Sequence, residues 1–313
     1  MNELPQTTKS CPVCGQQSNL LMDLPQTFWG QRFSLHTCNT CALCYTFPAP
    51  SNELLSKIYS GDYWVGEKAM KKQGGLGRLV EKFNEIRLAM TIKPLLSRLP
   101  FGASLLEVGC GSGQLAAYLK KRGYSVEVVD IDRDMIDGIK RRYGITGYCG
   151  SMESIHFPRT YHAIIFNNVF EHLRHPDEIL RKAGQLLSRR GFVFLEVPNI
   201  ASLQFGLFQE SWFALQIPQH LFHFSPKSLN RLALQTSFRQ IWLSTFSPRV
   251  SAAGYVASLC PQLRPEKVRR SLSKLRLFTY LGLQILFLPL SYAEALAGRG
   301  SAVRVLYRKA TQK

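Results

Sequence analysis

Two spacings of apolar residues alternate through the middle of the chain. The run SLLEV (104–108) has the length and composition of a short buried strand, and the helical segment QLAAYLKKRGY (114–124) follows it, with Gly123 as its stop. SVEVVD (125–130) is again a strand, and FVFLEVPN (192–199) is apolar enough to be buried on both faces. Strands that alternate with helices predict a parallel α/β sheet.

The same alternation continues on both sides. One helix is expected over about residues 79–99, and another begins at HPDE (175–178), where a proline and two acids suit a helix N-terminus. We expect Gly191 to stop the second helix. RQIWLSTF (239–246) and AVRVLYRK (302–309) are further strands.

Length and composition narrow the class of protein. A chain of 313 residues forms two domains or one large domain with appendages, and 45% hydrophobic residues are enough for an ordinary core. The first ten residues contain no apolar run, so we expect no signal peptide, a cytoplasmic location and eight reduced cysteines. Paired cysteines in a reduced chain favour metal binding over disulfides.

The net charge of +18 is unevenly distributed along the chain. Residues 201–313 contain 15 Lys and Arg against 3 Asp and Glu. Such an excess predicts attraction to an anionic partner, namely nucleic acid, phospholipid or a phosphate-bearing substrate. The alternative is a solvated basic face without a partner.

Two Cys-x-x-Cys pairs lie near the start, Cys11 with Cys14 and Cys38 with Cys41, separated by 23 residues. Four thiolates complete a tetrahedral shell for zinc, so the spacing predicts a closed, structural zinc ribbon. A thioredoxin-like redox role is disfavoured because no βαβ pattern surrounds either pair. Cys44 would be a fifth ligand, and we expect it to be a buried apolar residue instead.

A glycine loop joins the first strand to its helix. Gly109, Gly111 and Gly113 follow Glu107, and the next strand ends in Asp130. Glycine allows a sharp turn close to a ligand, and an acid after the second strand suits ribose hydroxyls. The loop lacks the Lys-Ser/Thr of a P-loop, which disfavours triphosphate hydrolysis. It also departs from the G-x-G-x-x-G of dinucleotide sites, so a dehydrogenase-type nucleotide site is kept only as the alternative.

Together these features resemble the class I S-adenosylmethionine (SAM)-dependent methyltransferases. The resemblance covers roughly residues 80–246 and the last strand, and it implies a Rossmann-like, seven-stranded α/β sheet of order 3-2-1-4-5-7-6. It implies that Glu107 and the glycine loop hold the methionine part of SAM and that Asp130 holds the ribose. The other cofactor contacts it implies are Ile131, Ser151, Met152 and Asn167.

A subset of that family carries an amino-terminal zinc ribbon. CNTCALCYTFPAPSNELLSKIYSGDYW (38–64) is similar to the second knuckle of that ribbon and to the Tyr-rich segment after it, with Ala42 where the subset usually has glycine. The implied organisation is a zinc ribbon over 1–50, a linker with amino-terminal helices over 51–100, and a methyltransferase domain over 101–313 with a basic and apolar helical insertion at about 247–301.

Two segments are candidates for the acceptor side of the site. In NNVFEHL (167–173), His172 could be a general base because its reference pKa lies near neutrality, or the Glu-His pair could stabilise the loop. In ESWFALQIPQHLFHFSPKSL (210–229), the residues that could touch the acceptor are Trp212, His220 and His223. We therefore name His172 and His220 as the catalytic candidates.

The insertion joins a basic stretch, 267–276, to an apolar stretch, 277–290. The apolar run of about 14 residues is shorter than the 20 or so that a membrane span needs. Segment 265–290 is expected to make a peripheral contact at the inner face of the membrane, to form a dimer contact, or to pack as a lid.

The favoured function is transfer of a methyl group from SAM to a small-molecule, sugar or lipid-linked acceptor. The alternative is an RNA methyltransferase acting on rRNA or tRNA, which a zinc module and a charge of +18 would allow. Nucleic acid is the weaker partner because the basic excess lies in an apolar insertion. A non-catalytic SAM-binding assembly protein is disfavoured by the intact glycine loop.

Overall fold

Two β-sheets organise the part of the chain that the computed structural model describes, which is residues 9–28, 30–60, 75–265, 267–268 and 273–310. The strands are β1 (Lys9–Ser10), β2 (Gln17–Phe28), β3 (Gln31–Cys38), β4 (Cys44–Phe47), β5 (Ser104–Val108), β6 (Ser125–Asp130), β7 (Thr146–Cys149), β8 (Tyr161–Asn167), β9 (Leu187–Pro198), β10 (Phe222–His223), β11 (Phe238–Ser244) and β12 (Ala302–Lys309). The helices are α1 (Asn52–Ser60), α2 (Gly75–Leu96), α3 (Gln114–Lys121), α4 (Arg133–Tyr143), α5 (Pro176–Leu186), α6 (Leu203–Phe208), α7 (Pro226–Gln235), α8 (Ser251–Leu259) and α9 (Lys274–Leu296).

The larger sheet has the order β11-β12-β9-β8-β5-β6-β7 among the described strands, and β12 runs antiparallel to both of its neighbours. This is the predicted order 3-2-1-4-5-7-6, so the predicted fold is confirmed. The central strands are apolar on both faces because two layers cover them: Leu105, Ile164 and Val193 are fully buried. The carboxyl ends of β5, β6, β8 and β9 therefore meet at one edge of the sheet.

One predicted boundary is wrong. Gly191 does not stop a helix, because α5 ends at Leu186 and Gly191 lies inside β9. The pairing of β8 with β9 jumps from Leu187 to Phe192, so the intervening residues bulge out of the ladder. A Cβ at position 191 would approach Leu187 closely, which explains the glycine without a helix end.

The smaller sheet has the order β1-β2-β3-β4-β10 among the described strands. Its last strand comes from the segment after β9, and Cys44 of β4 pairs with His223 of β10. The side chains of Leu35 and Cys44 share an apolar cluster with Trp212. The amino-terminal sheet is therefore joined, by strand pairing and by packing, to the loop that follows the fifth strand of the larger sheet.

In the described part of the insertion before the last strand, helices α8 and α9 pack against each other. Helix α8 is buried over almost its whole length, whereas α9 lies on the surface. Within the described residues, Leu275–Leu296 is the one helical stretch long and apolar enough to cross a membrane, and 11% of its best window is buried. The helix is longer than the apolar run predicted from the sequence. The Tyr-rich segment that follows α1 lies outside the described residues from 61 onward.

Candidate cofactor and acceptor site

Four cysteine sulfurs meet where two turns of the smaller sheet approach each other. The Sγ–Sγ distances are 3.7 Å for Cys11 to Cys41, 3.4 Å for Cys14 to Cys38 and 3.7 Å for Cys14 to Cys41. All four sulfurs lie within 4.8 Å of one another. A tetrahedral zinc ion with bonds of about 2.3 Å separates its sulfur ligands by about 3.8 Å. The four predicted ligands therefore fit a zinc ion.

Cys44 lies outside this cluster. It is buried in the apolar cluster that contains Leu35 and Trp212, as expected for a fifth cysteine that is not a ligand. Ala42, in the same turn as Cys41, has a φ of 60°, in the left-handed region that favours glycine. The knuckle thus keeps the conformation for which the family subset uses glycine.

The glycine loop between β5 and α3 is held by close packing. Gly109 and Gly113 have φ values of +67° and +74°, and a Cβ on either would collide with Val169 or Ile139. The backbone N–H of Gly111 donates to the carboxylate of Asp130 at 2.9 Å. The turn and these close approaches explain the alternating glycines.

Glu107 is a buried acid at the start of this loop. Burial raises the pKa of Glu107 to about 8, and a hydrogen bond from the backbone of Ala116 opposes this rise only in part. Its Oε2 has no hydrogen-bond partner among the described residues. An uncompensated buried carboxyl is costly unless a cation or a donor reaches it. Glu107 therefore fits the ammonium group of the methionine part of SAM.

Asp130 connects the glycine loop with the loop after β6. Its Oδ2 accepts from the Gly111 backbone, and its Oδ1 accepts from the Asp132 backbone at 3.1 Å. Burial raises the pKa of Asp130, and these hydrogen bonds oppose the rise. The next residue, Ile131, has 66% of its side chain exposed, so an apolar surface is available beside the acid. Both positions remain predictions, Asp130 as a ribose contact and Ile131 as a further cofactor contact.

The other predicted cofactor contacts lie on neighbouring loops. Ser151 is exposed, and its hydroxyl donates to Ser154 at 3.1 Å. Met152 is buried in the main core, and its cofactor contact remains a prediction. Asn167 ends β8, and its Oδ1 accepts from Asn168 at 3.1 Å.

Glu171, His172 and His220 form a cluster beyond the carboxyl end of β8. The Nδ1 of His172 donates to the Gln219 carbonyl at 3.0 Å, and the Nδ1 of His220 donates to the Ala214 carbonyl at 2.9 Å. Because carbonyl oxygens only accept, Nε2 is the basic nitrogen of each neutral ring. The His220 Nε2 lies 3.8 Å from Glu171 Oε1. The ring centroids of His172 and His220 are 4.7 Å apart.

Burial makes this cluster uncharged near neutral pH. It lowers the pKa of His172 to about 4, lowers the pKa of His220 well below 6.5, and raises the pKa of Glu171 to about 8. His172 is half-buried, whereas His220 has 3% of its surface exposed, so His172 is the more accessible of the two rings. The three side chains also have ligand atoms within 4.8 Å of one another, close enough to hold a metal ion.

Two residues expected near the acceptor lie in the interior. Trp212 has 2% of its surface exposed and packs against Phe205, so the structure does not support acceptor contact by its side chain. His223 is also buried, and its Nε2 lies 3.1 Å from Thr46 Oγ1. The Thr46 hydroxyl donates to the carbonyl of His220 at 2.7 Å.

Thr46 is a supporting residue that sequence reasoning missed. It lies on β4 of the smaller sheet and is 174 positions from His220 in the chain. A threonine in a strand gives no local signal of such a contact, since threonine is common in any strand.

Sequence comparison gives the family. A model of the methyltransferase domain family matches residues 81–241, just over half of the chain. The ubiquinone biosynthesis O-methyltransferase of Aliivibrio fischeri (strain MJ11) is 26% identical over 153 residues, which cover 45% of this chain and 65% of that protein. The enzyme of the same name from Vibrio cholerae (strain O395) is 27% identical over 32% of this chain and 43% of its own length. The chain thus spans less than two thirds of these relatives.

Solved structures show the same fold at low identity. Coclaurine N-methyltransferase bound to N-methylheliamine and SAH has a TM-score of 0.53 and 18% identity, over 83% of each chain. The [4+2]-cyclase SpnF has a TM-score of 0.54 and 13% identity, over 84% of this chain and 98% of its own. These two proteins are named for different activities, so the fold alone does not give the reaction. The family match includes the glycine loop, Asp130 and the Glu171-His172 segment, and this chain therefore belongs to the class I SAM-dependent methyltransferases.

Proposed function

We propose that this protein transfers a methyl group from SAM to a small-molecule acceptor. The observation that carries the proposal is Glu107, a buried carboxyl whose Oε2 lacks a partner in the described structure, at the start of a tightly packed glycine loop. Asp130 stands at the end of the neighbouring strand, and His172 stands beyond the next strand on the other side. A cationic nucleoside ligand would satisfy both acids along this edge.

The protein's own part in the reaction is placement and proton removal. When bound, SAM supplies an electrophilic methyl group. His172 would accept the proton that the acceptor loses as its new bond to carbon forms, while the Gln219 carbonyl and the neighbouring His220 ring hold the imidazole in place. A base with a pKa of about 4 suffices for a hydroxyl acceptor, because an oxygen that gains a methyl group becomes strongly acidic.

The acceptor class that we favour is a small molecule, a sugar or a lipid-linked intermediate. The relatives in ubiquinone biosynthesis are O-methyltransferases by name, which supports a small organic acceptor. A lipid-linked acceptor would suit a peripheral membrane contact through 265–290 and a cytoplasmic protein at the inner face of the membrane. We also propose that the four-cysteine cluster holds zinc as a closed structural site, because protein ligands fill all four positions.

The test is transfer of an isotopically labelled methyl group. The full-length protein is incubated with SAM carrying a ¹³C methyl group and with separate small-molecule, lipid and RNA fractions of a strain that lacks the gene. We expect label in a small-molecule or lipid product, and none with the Gly111→Arg variant, whose side chain would fill the loop. Label confined to RNA would support the RNA alternative, and absence of label from all fractions would contradict the proposal.

The pH dependence of SAM affinity tests the role of Glu107 separately. The carboxyl is largely protonated below its pKa of about 8, and a cationic ligand favours the ionised form, so binding should release a proton. Affinity should therefore rise between pH 6 and 7.5, by up to about tenfold per pH unit. Titration calorimetry in two buffers would measure both the SAM affinity and the proton release. The Glu107→Gln variant should bind more weakly and lose this rise; an equal rise in the variant would assign it to another group.

A further inference from the structure

Helix α9 turns an apolar side to solvent. Leu275, Ile285 and Leu296 have 77%, 72% and 76% of their surface exposed, and Phe278 and Tyr292 lie on the same side at helical spacing. The sequence from 277 to 293 contains no charged residue. A surface helix of a globular protein ordinarily carries charged and polar residues on its outer side. The outer side of α9 is therefore suited to a neighbour other than water.

The inner side of α9 is occupied by the protein itself. The ring of Phe287 stacks on Tyr255 of α8 at 5.1 Å. The buried carboxylate of Glu294 accepts from the Tyr255 hydroxyl at 2.8 Å and from the Gln204 amide at 3.0 Å. A helix that crossed a bilayer would break these contacts. Helix α9 is thus placed to lie along a surface rather than to span it.

Helix α2 extends this apolar surface. Its residues Phe83, Ile86 and Met90 are about half exposed and recur at the spacing of one helix face. The Arg87 guanidinium donates to the side-chain oxygen of Gln284 at 3.5 Å, so these two side chains connect α2 with the middle of α9. Two adjacent rows of apolar side chains present a wider surface than one helix alone.

The charges beside the apolar rows are positive. The sequence from 264 to 276 contains six Lys and Arg against one Glu, and Lys267 and Arg276 are exposed. We propose that the outer side of α9 and the neighbouring row of α2 dock on an anionic phospholipid bilayer, with α9 in the plane of the membrane. Apolar side chains would enter the interface while the basic residues meet the headgroups.

Charge also favours a bilayer over a second copy of the chain. Each copy has a formal charge of +18, so two copies repel each other, whereas an anionic surface attracts both. The docking surface deepens the proposed function by placing the enzyme beside a lipid-linked acceptor. Its evidence is independent of that function, because none of the residues in the two rows belongs to the cofactor site.

Vesicle flotation of the full-length protein tests the docking surface. Vesicles of phosphatidylcholine alone are compared with vesicles that also contain phosphatidylglycerol. We expect flotation with the anionic vesicles, weakened by added salt. The double variant Ile285→Glu, Leu286→Glu changes two exposed residues of α9 and should lower the partition coefficient about tenfold or more, since two apolar groups become charged. The matched control is Leu234→Glu on α7, an exposed leucine outside both rows, and it should bind like the unmodified protein.

Every variant is first checked for SAM binding by calorimetry, which reports a folded cofactor site whether or not methyl transfer is found. No flotation of the unmodified protein, or equal flotation of the double variant, would overturn the proposal. Equal binding to both vesicle types would overturn its electrostatic part. A dimer in light scattering that the double variant loses, without any vesicle binding, would assign the surface to a second copy of the chain.

Discussion

Replacing Cys41 with alanine is expected to release zinc and to unfold the amino-terminal sheet. Cys41 is a buried member of the four-sulfur cluster, and its Sγ lies 3.7 Å from both Cys11 and Cys14. Binding free energy in such closed sites is folding free energy, on the order of 10 kcal/mol. Zinc per chain, measured by mass spectrometry, should fall to near zero, and limited proteolysis should cut within the first fifty residues.

Cys44→Ala is the matched control for this experiment. Its sulfur lies in a separate apolar cluster, so the variant should keep one zinc ion per chain. It should lose stability through the small cavity that it leaves, about 1–2 kcal/mol. Equal zinc loss in the two variants would contradict the assignment of four ligands and one packing residue.

The Cys41→Ala variant should also weaken the acceptor side of the site. Strand β4 pairs with β10, and the Thr46 hydroxyl holds the carbonyl of His220. Loss of the smaller sheet removes both supports. We therefore expect slower methyl transfer as well as zinc loss, even though the proposed zinc site is structural.

The His172→Asn variant is expected to bind SAM normally and to transfer methyl groups about 10²–10³-fold more slowly. An asparagine amide can still donate to the Gln219 carbonyl, as Nδ1 of the histidine does, but it has no basic nitrogen. The change therefore removes proton acceptance and retains the local hydrogen bond. Single-turnover rates with the acceptor identified by label transfer would measure it, and calorimetry would measure SAM affinity.

Two further variants separate the base from its neighbours. His175→Asn, at an exposed histidine on the same loop, should leave the rate unchanged. His220→Asn should have a smaller effect than His172→Asn, because His220 is buried and packs edge-on against the ring of His172. A His172→Asn enzyme with full activity would show that the Glu-His pair only stabilises the loop. A larger loss in His220→Asn than in His172→Asn would reverse the two roles.

Much of the fold was predictable because it depends on local signals. The order of the larger sheet follows from a glycine loop after the first strand, an acid after the second and a family resemblance that these residues carry. The cysteine cluster follows from spacing, because two Cys-x-x-Cys turns in a reduced protein supply the four thiolates of one tetrahedral zinc site. The prediction that Gly191 stops a helix is wrong because the sequence does not distinguish a glycine at a β-bulge from a glycine at a helix end.

The contacts that support the site were not predictable. Strand β10 has two residues, Phe222 and His223, and its pairing with β4 joins segments about 180 residues apart. No periodicity marks so short a strand. The burial of Trp212 and His223 and the partial exposure of His172 are also properties of the packed chain, so the sequence names the histidines but does not rank them.

The sequence by itself determined the parallel α/β sheet, the glycine loop with Glu107 and Asp130, and the four cysteines, because spacing and backbone requirements are local properties. The tertiary structure decided which histidine is the more accessible, how the smaller sheet packs against the segment after β9, and which side of α9 remains exposed. Burial, charge state and neighbour contacts arise only when distant segments pack together. For this reason the family could be inferred from the sequence, whereas the His172 assignment and the docking surface required the fold.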